Sequence, residues 1–170
     1  MYWRRSAADY RRGKGKGNRE ALRRLVAAGR VPGVLAYAGH VPIGWCAVAP
    51  REAYPRLERA RVLKRIDNRP VWSVVCLFVA KDYRRRGVSV ALLEGAAAFA
   101  ASRGACMLEG YPVEPGRALP DPFAWTGTAA AFRAARFIEA ARGAPTRPIM
   151  RRVLTPDWSP PARASYIAHQ

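Results

Sequence analysis

A chain of 170 residues, half of them hydrophobic, is long enough for one domain with a buried core and too apolar for global disorder. Its 30 Lys and Arg outnumber 12 Asp and Glu, for a formal net charge of +18, which attracts polyanions but decides nothing about the fold. No stretch approaches the apolar length of a membrane-spanning helix, and the start Met1-Tyr2-Trp3-Arg4-Arg5 lacks the apolar segment of a signal peptide, so a soluble cytoplasmic protein with no membrane partner is expected.

Cys46, Cys76 and Cys106 match no metal-ligand or redox spacing, and no metal is expected. Each sits in an apolar run, which reads as a buried structural thiol in a reducing compartment. Only Lys14, Lys16, Lys64 and Lys81 are lysine, so the charge is almost wholly arginine.

Residues 1–30 form a strongly basic amino-terminal segment. Its Gly13-Lys14-Gly15-Lys16-Gly17 run is too glycine-rich for helix, whereas Asn18 can cap a helix from Arg19 to Ala28 that ends at Gly29. Val34–Tyr37 and Ile43–Val48 are two apolar runs around Gly39-His40, which predicts a hairpin. From Pro50 to Pro70 the chain is charged and proline-bounded, a loop with a short helix. Val71–Ala80 (VWSVVCLFVA) is β-branched and aromatic and predicts a central strand. After Lys81-Asp82-Tyr83 and the run from Arg84 to Ser89, a helix is predicted over Val88–Arg103, with Val88, Leu92, Ala96 and Phe99 on one face and Gly104 as its stop. Cys106–Tyr111 reads as a strand closed by Pro112, followed by proline-laden loop to Asp121. Thr128–Ala135 reads as a short helix, and two strands near Phe137–Ala141 and Arg147–Leu154 end a single domain spanning residues 1–154. Residues 155–170 are a proline-containing tail. This order is that of an α/β (α+β) protein, a mixed central sheet flanked by helices.

The chemistry concentrates at the strand-turn-helix junction from Val79 to Ser89. The first amides of a helix have no partner within it, and the dipole adds positive charge there, which suits a phosphate. Gly87 lets the backbone come close to phosphate oxygens, and Arg84, Arg85 and Arg86 can bind them through paired hydrogen bonds.

Residues 79–93, VAKDYRRRGVSVALL, resemble the acyl-CoA-binding motif of the GNAT superfamily of N-acetyltransferases. Arg84, Gly87 and Ser89 occupy its pattern positions, with Ser89 where that pattern has Gly or Ala. The segment from Thr128 to Phe137 is similar to the family's late helix and the strand after it. The resemblance covers roughly residues 34 to 154 and implies transfer of an acetyl group from acetyl-CoA to a primary amine by direct attack in a ternary complex. The cofactor's pyrophosphate would rest on amides from Arg84 to Ser89, Val88 included. Its pantetheine arm would run beside Leu77, Phe78 and Val79, and the thioester carbonyl would take an amide near Val79. Cys76 is the thiol that could instead carry an acyl group.

The family's late helix often carries a Tyr that protonates the leaving thiolate. The matching residue here is Phe132, which lies beside the cofactor in this reading but has no proton to give. Glu109, on the strand after the cofactor helix, is a base if burial raises its pKa, and Tyr111 is a second catalytic candidate on the same face. Trp125 and Thr126, in the loop entering the late helix, are candidates for acceptor binding. Family members open with a strand and a helix before the first hairpin. Ahead of Val34 there is one helix and no clear strand, so the amino-terminal strand is expected to be missing. The alternatives are an acyl-CoA-binding protein with weak catalysis, which Phe132 favours, and a basic nucleic-acid-binding module. The latter draws on Tyr2, Trp3 and Tyr10 among arginines but lacks any recognised binding motif. A homodimer is implied by the resemblance only.

Overall fold

The computed structural model describes residues 1–114 and 125–154. The predicted loop between Pro112 and Asp121 falls largely outside that range, and the tail from Thr155 wholly so. The described elements run α1 (Ala7–Arg12), α2 (Lys16–Ala27), β1 (Gly33–Ala38), β2 (Val41–Pro50), α3 (Pro55–Glu58), β3 (Trp72–Val79), α4 (Val88–Ser102), β4 (Met107–Gly110), α5 (Ala129–Ala134), β5 (Ile138–Ala144) and β6 (Arg147–Val153). Single turns of 3-10 helix at Arg51–Ala53, Arg61–Leu63 and Lys81–Tyr83 join them. The strands form one mixed sheet in the order β1-β2-β3-β4-β6-β5. Among the described strands only β3 and β4 pair in parallel, as a crossover through α4 requires.

α4 buries Val88, Leu92, Leu93, Ala96, Ala97 and Ala100 on one face of the sheet, against Ile43, Cys46, Val48, Val74, Leu77 and Leu108. Each of its two leucines contributes roughly 1.5–3 kcal/mol by leaving water. The opposite face is covered by Tyr54, Leu57 and Leu63 from the segment after β2, with Trp3 packed beside them.

The amino-terminal segment departs from the reading of its glycines. α2 starts at Lys16 and carries Gly17 in its first turn. Asn18 is not its cap: the side chain donates to the Tyr10 carbonyl (2.9 Å) and accepts from Arg5 (2.8 Å), tying α2 to α1. The helix α1 was not foreseen; Ser6 caps it by accepting the Asp9 amide. Among the described residues before Gly33 there is no strand. Cys46 is buried and Cys76 partly so, but Cys106 is exposed.

Two features of β3 open the sheet. Its register against β2 passes from Ala47↔Cys76 to Val48↔Val74, so Val75 is an extra residue and β3 bulges there. Its pairing with β4 covers only Trp72 to Val74. Beyond the bulge the two strands part, and the β3 edge from Val75 to Val79 faces other partners.

Candidate active site

The Ala80 amide bonds to the Ile43 carbonyl at 2.8 Å. Strand alternation then turns the amides of Leu77 and Val79 away from β2, toward the open edge. The Leu77 amide meets the Trp125 carbonyl at 2.7 Å. The Val79 carbonyl accepts Arg84 Nε at 3.2 Å, and the Val75 carbonyl accepts Trp3 Nε1 at 3.1 Å.

At the end of β3 the chain turns through Lys81–Tyr83 and enters α4 at Gly87, which has φ +77°. Arg85 also has positive φ, +59°, uncommon for a residue with a side chain and a strain that clusters at ligand sites. Such left-handed residues turn successive amides into one concavity, an anion nest. No side chain caps α4, so its first amides are left to the solvent or a ligand. A Cβ built on Gly87 would meet no atom within 4 Å; the glycine answers to backbone conformation and to open space above it.

A groove of about 520 Å³ runs from this turn along the β3 edge. Leu77, Phe78, Val79, Arg84, Arg85, Gly87, Val88 and Ser89 line it, as do Tyr83 and Val90. Its far wall is Trp125, Gly127, Thr128 and Ala131. Gly127 makes that wall possible: it has φ +84°, and a Cβ there would come within 2.6 Å of Leu77 Cδ1.

Several expected residues stand elsewhere. Arg86 does not line the groove; its guanidinium lies 5.8 Å from the centre of the Tyr83 ring. Phe132 is fully buried beneath the groove, stacked edge-on against Phe137 and filling the space over Gly110 and Gly127, while Ala131 of the same helix reaches the groove instead. Thr126 is buried, and its hydroxyl accepts Arg147 Nη1 at 3.1 Å.

Glu109 and Tyr111 are on the sheet face opposite α4, both about 1% exposed, and neither lines the groove. Glu109 accepts Arg51 Nη1 at 2.9 Å, Arg151 Nε at 2.7 Å and the Tyr111 hydroxyl at 2.5 Å. The Tyr111 hydroxyl also accepts Arg51 (2.7 Å) and meets Ser73 Oγ at 2.9 Å. Burial, then the neighbouring carboxylate, pushes the Tyr111 phenol well above its ordinary pKa. Burial was expected to make Glu109 a base; instead two guanidiniums and a phenol engage its oxygens. Arg51, wholly buried, escaped the sequence reading because arginine is rarely interior unless paired. Burial also raises the Cys76 thiol, which weakens it as a nucleophile.

Beside the sheet opening, Tyr2 and Trp3 pack on Trp125, with ring centroids 5.5 and 5.9 Å apart. The Arg56 guanidinium covers Tyr2 at 3.7 Å. Among the described residues no group of His, Cys, Asp and Glu is arranged to hold a metal ion, and no helix is long and apolar enough to cross a membrane.

Residues 3–115 match the family model described as the acetyltransferase (GNAT) family. No curated protein matches the chain. Among solved structures, the chain is similar to a putative acetyltransferase from Staphylococcus aureus Mu50, at 14% identity over 87% of this chain and 88% of that one, TM-score 0.48. It is also similar to the ribosomal-protein-S18-alanine N-acetyltransferase of Escherichia coli, at 14% identity over 78% and 76% of the two chains, TM-score 0.46. A third is the NatC complex bound to Gag peptide and CoA, at 15% identity and TM-score 0.45, covering 71% of this chain and 66% of that one, just under two thirds of its length.

Proposed function

The chain belongs to the acetyltransferase (GNAT) family and is an acyltransferase, and we propose that it moves an acetyl group from acetyl-CoA to a primary amine by direct attack. The observation that carries this is one continuous groove joining the uncapped start of α4 to the edge of β3 beyond its pairing with β4. The turn from Arg84 to Ser89 offers backbone amides and cations to a pyrophosphate. The edge from Leu77 to Val79, faced by Thr128 and Ala131, offers a slot to an extended pantetheine arm. The residues present therefore fit acetyl-CoA as substrate.

In the reaction the amine nitrogen attacks the thioester carbonyl carbon. A C–N bond forms, the C–S bond breaks, the nitrogen gives up one proton and the departing thiolate takes one up. The Leu77 amide is engaged by Trp125, so the Val79 amide, on the same edge, is the donor for the oxygen that gains charge during attack. One such donor is worth about 2.7–4 kcal/mol of barrier. Burial raises the Cys76 thiol, which argues against an acyl group on it. Glu109 and Tyr111 support the acceptor side of the sheet from within rather than exchanging protons with substrate.

Release of CoA thiol, followed with a panel of primary amines under saturating acetyl-CoA, tests the reading. Amine-dependent release matched by acetylated product is expected. Hydrolysis alone, with every amine, would instead support an acyl-CoA-binding protein of weak catalysis. The Trp125 carbonyl seated on the Leu77 amide is the observation that favours that second reading.

A further inference from the structure

Among the described residues, the buried arginines have carboxylate partners. Arg51 has Glu109 and Glu58, Arg151 has Asp67 and Glu109, and Arg152 has Glu94. Three half-buried arginines outside the groove lining depart from that pattern. Arg4, Arg56 and Arg147 are half-buried, yet none has a carboxylate partner among the described residues. Arg4 donates to the Pro32 carbonyl and the Tyr54 hydroxyl, Arg56 lies on the Tyr2 ring, and Arg147 donates to Thr126.

By its place in β6, Arg147 belongs to the sheet face opposite α4. It has the parity of Ile149, which packs on the face opposite α4, and of Arg151, which reaches Glu109 there. Thr126 takes one of the guanidinium's five donors. That residue follows Trp125, which both lines the groove and stacks on Tyr2 and Trp3. A half-desolvated cation bonded to the residue after Trp125, with donors to spare, is suited to a carboxylate or phosphate through paired hydrogen bonds.

Taking the acyltransfer reading as given, we propose that the acceptor is a small amine that also carries an anionic group, and that Arg147 is the specificity-determining residue that holds it. Tyr2, Trp3 and Trp125 form the wall along which the amine reaches the β3 edge.

The test compares matched amines that differ by the anion: phenylalanine with phenethylamine for the carboxylate, and O-phosphoethanolamine with ethanolamine for the phosphate. CoA release at saturating acetyl-CoA gives kcat and KM for the parent protein, Arg147→Gln and Arg147→Lys. In at least one pair the anionic amine is expected to be preferred, and the pair that shows it identifies the anion. Arg147→Gln should lower kcat/KM for that amine about 10- to 100-fold, the range for a lost charged hydrogen bond, mainly through KM. The uncharged partner should be unaffected and acetyl-CoA affinity unchanged, and Arg147→Lys should restore part of the loss. Preference for the uncharged amines, equal losses for both members of a pair, or no acetylation of either anionic amine by protein that binds acetyl-CoA would overturn the inference. Absence of acetyl-CoA binding would overturn the acyltransfer reading itself.

Discussion

Replacing Glu109 by Gln separates a structural carboxylate from a catalytic one. Glu109 is about 1% exposed and holds two guanidiniums and a phenol. Removing one partner of a buried ion pair costs about 3–5 kcal/mol, because the remaining charge stays buried. Here the loss is cushioned, since Arg51 keeps Glu58 and Arg151 keeps Asp67, and Gln preserves the shape. The lower end, about 3 kcal/mol, is therefore expected. In a domain of this size that lowers Tm by roughly 6–12 °C. Measured well below that Tm, kcat should stay within about twofold of the parent, whereas loss of a general base costs about 100- to 10,000-fold. Thermal unfolding by circular dichroism and CoA release at 15 °C give the two numbers. A kcat lowered a hundredfold with an unchanged Tm would refute the assignment and return Glu109 to the reaction.

Other outcomes follow from the same structure. Gly110→Ala puts a Cβ 2.0 Å from Phe132 Cε1 and should cost about 3 kcal/mol; Phe132→Leu in the same chain should recover part of it, a coupling read from a double-mutant cycle. Cys76→Ala should leave the transfer rate within about twofold, with no acyl-protein seen by intact mass, as expected of a thiol whose reactive form burial disfavours. The hydrogen bonds from Arg151, chiefly, hold the Asp67 carboxyl down at about 2. A depressed folded-state pKa stabilises above the unfolded value and is lost as pH falls through the folded one. Asp67→Asn should therefore lower Tm at neutral pH, and the gap to the parent should close between about pH 4 and 2; a gap independent of pH would refute the pairing.

The strand, turn and helix from Trp72 to Ser102 were legible because local and global demands agree there. VWSVVCLFVA suits a central strand on both faces, and Gly87 is needed for its left-handed turn whatever the ligand. The amino-terminal segment was not legible for the opposite reason. Gly17 argues against helix, but Asn18 bridges α1 and α2 by tertiary hydrogen bonds, and packing overrides propensity. At the site, residue type indicated chemistry but not environment. Glu109 and Tyr111 share a face, as their spacing implies, yet the arginines that engage Glu109 come from Arg51 and Arg151, distant in sequence. Phe132 and Ala131 are neighbours on α5, and only the three-dimensional course of β4 and Gly127 decides which of them meets the groove. The positive φ of Arg85 has no signature in composition or spacing.

The most direct test of the central claim is calorimetric titration of acetyl-CoA into the purified protein and into Gly87→Glu, at low and high salt. Gly87 faces open space, so the glutamate puts a carboxylate where the pyrophosphate would sit and adds strain at a left-handed residue, while touching nothing in the core. Saturable binding to the parent, weakened by salt and abolished by the substitution in a protein that still melts cooperatively, is the predicted result. Equal binding by both proteins, or none by the parent, would contradict the account.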